Sequence, residues 1–413
     1  MKNIILFDPD QRDHLLPFTY TRPVCEFRVG IDTVREKWER ALNGRVSYIT
    51  QDYLCEKYPI HIGADNFIIN GAVLPNDVLC NLINKLNNNE ALLKDGDLVA
   101  ARVDSQQFYH LMADNDINEL IGFDLEDKAF HEIRHVWDIF QLNNTVLRED
   151  FIQLTEGRIS QPISDTNTII GDLSQIFLEE GAVVEGSILN SKTGPIYIGK
   201  DAEIMEGCVV RGPLALCEHS ILKMGAKIYG ATTIGPYSKF GGEVNNCVVF
   251  GYSNKAHDGF LGNSVIGEWC NMGADSNTSN LKNTYDEIKL WDYTAKSFRK
   301  TGLQFLGLML GDHSKCGINT MFNTGTVVGV CASVFGAGYP RNFIPSFAWG
   351  GTGGLITYDF KKACDTIERV MQRRDQPFTK KDREILEYIF EFSHQFRTWE
   401  KDLKITSTAP ATN

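Results

Sequence analysis

Residues 198–240 read IGKDAE IMEGCV VRGPLA LCEHSI LKMGAK IYGATT IGPYSK F. An apolar residue opens every hexad: Ile198, Ile204, Val210, Leu216, Leu222, Ile228, Ile234 and Phe240. Neither a helix nor a strand repeats at six, because their side chains recur at 3.6 and 2.0 residues. A period of six fits a left-handed parallel β-helix, in which each hexapeptide forms one side of a triangular coil and its apolar residue points inward. The period returns at Phe260, Ile266 and Met272, and again at Leu310, Cys316, Phe322, Val328 and Val334. Glycines follow many of these positions, as at Gly199, Gly235 and Gly311, and read as corners that need positive φ. Breaks in the period fall at about 241–259 and 275–306. Interruptions of so regular a scaffold are where function is expected.

The flanking segments have a different character. Residues 1–150 read as α/β, with strands at 2–7, 45–50, 66–70 and 97–103 and helices at 30–42 and 77–86. Alternation of this kind predicts a mostly parallel sheet. Residues 115–135 are charged and unpatterned and read as a surface excursion, and 136–143 as a short helix. The β-helix is expected over 151–350. Residues 351–413 read as a helical extension, with helices at 358–373 and 380–400, Thr379 as the cap of the second, and a frayed end from Ser407.

The 413 residues exceed one ordinary core, so two or three domains are expected. A net charge of −12 argues against nucleic acid and anionic membrane as general partners. It leaves room for an anionic substrate held by a local basic cluster. The opening residues carry too short an apolar run for a signal peptide, and no stretch reaches the roughly 20 apolar residues of a membrane span. Ten cysteines without a Cys-x-x-Cys read as reduced thiols of a cytoplasmic protein, not as a zinc or redox site.

Candidate chemistry lies at the breaks. His257 is the sole histidine between residues 220 and 312, in the loop Asn254-Lys255-Ala256-His257-Asp258-Gly259. An imidazole titrates near neutral pH and could take a proton from an attacking amine, although an exposed loop histidine is the plainer reading. The second break holds Ser276 to Asn283 and Arg299-Lys300-Thr301-Gly302, read as a functional loop or a packing arm. Arg211 sits at a corner, in Val210-Arg211-Gly212-Pro213, and could face an anion or be a surface arginine.

In order, these residues resemble the acetyltransferase half of the bifunctional GlmU family. His257 to Gly262, followed by Val265 to Ala274, is similar to that family's H-x-x-Y-L-G…I-G…N-x-G-A segment. Thr278-Ser279-Asn280 resembles its T-C-N, Lys300-Thr301 its K-T, and Arg211-Gly212-Pro213 its R-P-G. The resemblance implies His257 as general base and Asn280 beside the acetyl-CoA thioester. It further implies Asn271 on the sugar, with Arg211 and Lys300 on the phosphate. Three positions depart from the pattern: Phe260 replaces a tyrosine, Asn245 a lysine and Leu281 an aromatic residue.

The N-terminal half resembles sugar-1-phosphate nucleotidyltransferases through Leu16 to Pro23 and Val29-Gly30. The phosphate loop of that family is glycine-rich. Here the stretch is Asp8-Pro9-Asp10-Gln11-Arg12-Asp13, with no glycine and three carboxylates, and Ala72 stands where the family's metal-binding aspartate would fall. Val136 to Asn143 looks like a P-W-D-L-L…N segment, which implies Asp138 as a Mg²⁺ ligand. Arg12, Arg22 and Arg28 could supply positive charge, and Arg22 is taken as substrate-binding.

The expected protein is a homotrimeric transferase of amino-sugar nucleotide (UDP-N-acetylglucosamine type) biosynthesis. It moves acetyl from acetyl-CoA to a hexosamine 1-phosphate, with a divergent N-terminal domain that uses a nucleoside triphosphate and Mg²⁺. Two alternatives stand beside it. In one, only nucleotidyl transfer survives and the β-helix is a trimer scaffold. In the other, the chain is a non-catalytic sugar-nucleotide-binding scaffold.

Overall fold

The computed structural model describes residues 1–114, 119–125 and 130–400. Parts of the 115–135 excursion and the end from Ser407 therefore lie outside the described residues. The chain forms two compact units. The first comprises Met1–Leu15, Thr21–Arg28 and Asp32–Asp138, and the second comprises Leu16–Tyr20, Val29–Ile31 and the chain from Ile139 onward.

The first unit holds a six-stranded sheet. Its strands are β1 (Lys2–Phe7), β2 (Gly44–Ile49), β3 (Asp65–Asn70), β4 (Glu90–Lys94), β5 (Asp97–Asp104) and β6 (Ile121–Asp124), in the order β2-β1-β3-β5-β4-β6. The sheet is mixed where a mostly parallel one was expected. β1 pairs in parallel with β2 and β3, whereas β5 runs antiparallel to both β3 and β4. The cause is a tight hairpin. Asp95 (φ 52°) and Gly96 (φ 89°) form a two-residue turn between β4 and β5. Positive φ at both central positions is what an Asp-Gly hairpin turn needs. Helix α1 (Val34–Leu42) starts with a capping box between Thr33 and Glu36. Helices α2 (Asp77–Lys85) and α3 (Ser105–Asp114) follow. Helix α4 (Asp138–Thr155), which belongs to the second unit from Ile139 onward, is far longer than the short helix read from the sequence.

The second unit is built on a left-handed parallel β-helix with three parallel sheets as its faces. Ile204 pairs with Leu222 and Leu222 with Phe240, a step of 18 residues per coil. All eight hexad positions from Ile198 to Phe240 are buried in one core that continues to Ile344 and Ala348. At 241–259 the faces continue without interruption. Phe240 pairs with Lys255, a step of only 15, and Thr233 pairs with Val248. The period fails there because the coil tightens at its corners, not because a loop enters. Tightening also shifts the phase, so Leu261 is the fully buried residue and Phe260 is only half-buried.

The second break is a true insertion. Met272 pairs with Cys316 and Thr278 with Phe322, so the coil resumes in register across it. The inserted chain folds into an antiparallel hairpin of β7 (Lys289–Asp292) and β8 (Ser297–Lys300). After the last coil come α5 (Phe360–Gln372), capped by Asp359, and α6 (Lys380–Ser393), capped by Thr379.

The corners also differ from expectation. Gly199, Gly235 and Gly311 do not adopt positive φ; the left-handed position falls two residues later, at Asp201, Tyr237 and His313. The glycines are needed for close approach. A Cβ on Gly235 would lie 2.1 Å from the Phe250 carbonyl oxygen of the next coil. Along this edge the left-handed residues His219, Tyr237, Tyr252 and Trp269 stack ring on ring, with centroids 4.7, 5.0 and 4.2 Å apart. Bulky side chains in this backbone region are strained, and the stacking offsets part of that cost.

Candidate functional site

The loop carrying His257 is fixed from inside the prism. Lys255 occupies an inward position, in one column with Leu222 and Phe240 on one side and Met272 on the other. It is 1% exposed, in a place where an apolar residue would be the rule. Its Nζ donates to the carbonyl oxygens of Gly241 and His257, both at 3.0 Å. Burial pushes its ammonium down to about 8, against the opposing pull of the nearby Asp258 carboxylate. The hydrogen bonds turn the chain outward at Ala256, so that His257 and Asp258 are exposed.

Two glycines leave room for this arrangement. A Cβ on Gly242 would come within 2.9 Å of Lys255 Nζ. Gly259 has φ 116°, and its Cβ would meet the Ser276 carbonyl oxygen at 2.2 Å. Below the loop, Asp275 N–H donates to the Asp258 carbonyl at 3.0 Å. Phe260 N–H donates to Asn277 Oδ1 at 2.8 Å.

Asn280 follows on the next coil. Its Nδ2 donates to Asn263 Oδ1 at 2.8 Å and packs over Gly262, where a Cβ would lie 2.6 Å from that nitrogen. His257 and Asn280 therefore flank one strand, Phe260–Gly262, from its two ends. Arg211 is exposed on the same face, and the ladder from its strand to Phe260–Gly262 runs through 227–229 and 243–245. At ~4.8 Å per strand that places it about 14 Å away along the prism. Asn271 is exposed on a neighbouring face, between Asn254 and Lys315. Lys300 stands on the hairpin, paired with Glu287 at 3.4 Å. Within one chain, then, His257 and Asn280 stand near opposite ends of one short strand, while Arg211, Asn271 and Lys300 lie farther along the prism, on a neighbouring face and on the hairpin.

In the first unit, the segment after β1 is not a row of surface carboxylates. Asp8 lies inside, accepting from Arg12 Nε at 3.2 Å, Thr50 Oγ1 at 2.6 Å and Val24 N–H at 2.7 Å. Burial raises its carboxyl above the usual range, opposed by the Arg12 guanidinium. Arg22 is 4% exposed, with Nη2 3.5 Å from Thr21 Oγ1. Asp138 Oδ2 accepts the backbone N–H of Arg134 at 2.8 Å and of His135 at 2.7 Å. Burial raises its carboxyl, opposed by those amides. Mg²⁺ is usually held by one or two carboxylates plus substrate phosphates. Here the one candidate carboxylate is already committed to amides. Among the described residues no three His, Cys, Asp or Glu side chains gather into a ligand set.

Part of the N-terminal motif packs inside the second unit. Gly30 N–H donates to Asn143 Oδ1 at 2.7 Å, and the Gly30 carbonyl accepts from Thr233 Oγ1 at 2.8 Å. With φ 76°, and with Asp150 Oδ2 2.2 Å from where its Cβ would be, this position admits only glycine. Phe18 packs on Phe250 at 5.3 Å.

The sequence reading missed Lys255 as a site residue. Its signal is weak: Lys255 falls on the inward phase only if the coil before it is allowed to lose three residues.

Residues 4–159 match the family model described as sugar nucleotidyl transferase. The bifunctional protein GlmU of Methanococcus maripaludis is 27% identical over 278 residues, which cover 65% of this chain and 60% of that protein. Over that span the chain is similar in sequence to GlmU. It spans about 60% of the length of that relative. A bifunctional sugar-1-phosphate nucleotidylyltransferase/acetyltransferase of Sulfurisphaera tokodaii is 28% identical over 145 residues, 34% of this chain and 35% of that one. A solved structure, the UDP-N-acetylglucosamine acyltransferase LpxA from Bacteroides fragilis, is similar over 56% of this chain and 96% of its own, with 11% identity and a TM-score of 0.27. The family model is described as a sugar nucleotidyl transferase, and the Sulfurisphaera relative is named both a nucleotidylyltransferase and an acetyltransferase. No described helix is long and apolar enough to cross a membrane.

Proposed function

We propose that this chain works in sugar-nucleotide biosynthesis and that its β-helix transfers acetyl from acetyl-CoA to the amine of a hexosamine 1-phosphate. The observation that carries the reading is the His257 loop, presented to solvent by a buried lysine and flanked by Asn280 on the adjoining coil. In this reading the amine nitrogen attacks the thioester carbonyl carbon. The N–C bond forms, the C–S bond breaks, His257 Nε2 or Nδ1 takes the amine proton, and that proton passes to the leaving thiolate. Asn280 keeps one amide hydrogen beyond its bond to Asn263, and this donor serves the oxyanion. Asn271 would orient the sugar, and Arg211 and Lys300 its phosphate. Their spread around one prism favours a homotrimer, in which a second copy closes the cleft.

The domain division proposed with this reading is 1–150 nucleotidyltransferase-like, 151–350 acyltransferase and 351–413 helical extension. Ten cysteines, none in a disulfide, fit a cytoplasmic protein. A second reading applies to the first unit: it docks a nucleotide, with Arg22 among its contacts, without catalysing nucleotidyl transfer. The sealed Asp8–Arg12 pair and the committed Asp138 carboxylate favour it.

The test is free-thiol release from acetyl-CoA with glucosamine 1-phosphate. Turnover that falls at least about 100-fold in His257→Ala supports the reading, as loss of a general base requires. Turnover unchanged in that variant removes His257 from the chemistry. No turnover in the wild type, with UTP-dependent conversion of N-acetylglucosamine 1-phosphate instead, moves the activity to the first unit.

A further inference from the structure

The inserted hairpin builds a cavity of its own. It measures about 600 Å³, within the range of small-molecule pockets. Trp291 on β7 stacks on Phe343 with ring centroids 4.1 Å apart and planes 9° from parallel. Tyr293 and Phe396 back Phe343 edge-on at 5.5 and 6.0 Å, so the floor rests on further aromatic rings. Phe298 on β8 meets Trp291 edge-on at 5.4 Å and remains 43% exposed. Around this floor stand three cations, Lys282, Lys289 and Arg341. Lys282 Nζ donates to the Glu287 carbonyl at 2.9 Å. Lys289 and Arg341 have no ion pair among the described residues, and Asp292 and Glu287 are paired elsewhere, with Arg299 and Lys300. A chain of net charge −12 thus concentrates unneutralised positive charge beside an exposed aromatic ring.

We infer that this cavity binds a nucleotide, with the base against Phe298 and the Trp291–Phe343 floor and the phosphates on Lys289 and Arg341. A planar base gains from an aromatic platform, and phosphates gain from guanidinium and ammonium donors. Neither a simple anion nor an apolar ligand would use both halves. The inference goes beyond the acyl-transfer reading and does not depend on His257. The shared chemistry has two sources: the adenosine phosphate end of coenzyme A, or the nucleoside diphosphate of a sugar nucleotide.

Calorimetric titration of the full chain with coenzyme A, UDP and pyrophosphate tests it. Expected is binding of at least one nucleotide about 10-fold or more tighter than pyrophosphate, a gap of about 1.4 kcal/mol. Lys289→Gln with Arg341→Gln should weaken that nucleotide about 10-fold or more. Phe298→Ala should weaken it while leaving pyrophosphate unchanged. His257→Ala should bind as wild type does, which keeps this outcome separate from the fate of the acyl-transfer reading. Preference for coenzyme A names the acyl donor as the source, and preference for UDP the sugar nucleotide. Absence of nucleotide binding, binding untouched by the double variant, or pyrophosphate binding as tight as the nucleotides would each overturn the inference.

Discussion

The Nζ of Lys255, buried in the prism, holds the carbonyl oxygen of His257 at 3.0 Å, so an exposed candidate of the site is anchored by a buried cation. Replacing Lys255 with methionine keeps the volume and removes the anchor. Acyl transfer should fall about 10-fold or more through kcat, while far-UV circular dichroism stays that of the wild type. A Lys255→Met protein with wild-type kcat would show that the loop holds itself.

The same lysine sets a pH dependence. Its folded value of about 8 lies below the ordinary lysine value of 10.5. Below pH 8 the charged ammonium is buried at a cost of about 3 kcal/mol, and between pH 8 and 10.5 that cost disappears, because the unfolded chain binds more proton there. Asp258 and Asp275 face the group and temper the shift, and the Cys247 and Cys316 thiols lie beside it. Urea denaturation at pH 7 and pH 10 should show wild type gaining on Lys255→Met as pH rises. A constant difference between the two proteins would mean that the ammonium titrates as if it were in water.

Gly259→Ala and Gly302→Ala form a matched pair. Both glycines have positive φ, but the Gly259 Cβ would press on the Ser276 carbonyl while nothing lies within 4 Å of the Gly302 Cβ. Gly302→Ala should cost about 1 kcal/mol, from backbone strain alone. Gly259→Ala should cost more than twice that in thermal denaturation and should also lower acyl transfer. Equal losses would indicate that the loop shifts to make room.

In the first unit, Arg12→Ala leaves the Asp8 carboxylate buried without its cation. Breaking such a pair costs about 3–5 kcal/mol. Limited proteolysis should cut the first unit of this variant well before the β-helix. Arg12→Ala as resistant as wild type would mean that Thr50 and Val24 suffice to hold Asp8.

Excision of the hairpin should leave the coil intact, because Met272–Cys316 and Thr278–Phe322 already pair across it. With residues 282–304 replaced by a short glycine-serine link, the thermal transition should stay cooperative and within a few degrees of wild type, while nucleotide binding at Trp291 is lost. A collapsed transition would make the hairpin part of the fold.

How far the sequence could be read varied with regularity. From Ile198 to Phe240 one coil equals three hexads, and every inward residue was legible. Past Phe240 the coil steps by 15, so a fixed period names Phe260 where Leu261 is buried. Lys255 escaped because hydropathy assigns lysine to the outside, and only the two facing carbonyls explain it inside. Trp291, Phe298 and Phe343 were not grouped, because their meeting depends on a hairpin folding back over chain some 50 residues later. In the first unit, the Asp95-Gly96 turn was visible as a dipeptide, yet its partner strand β4, with Glu90 and Lys94 at its ends, lacks the alternation that would have marked it.

The coil that shortens by three residues while every face keeps its partners has a wider meaning. Length here is adjustable only at the bends, whereas the flat sides tolerate no slippage. A lineage can therefore insert an arm, as before Leu306, or trim a bend, as before Lys255, without re-solving the rest of the molecule. The prism behaves as a fixed gauge with interchangeable fittings, and new chemistry in such proteins is to be sought where consecutive bends differ in length.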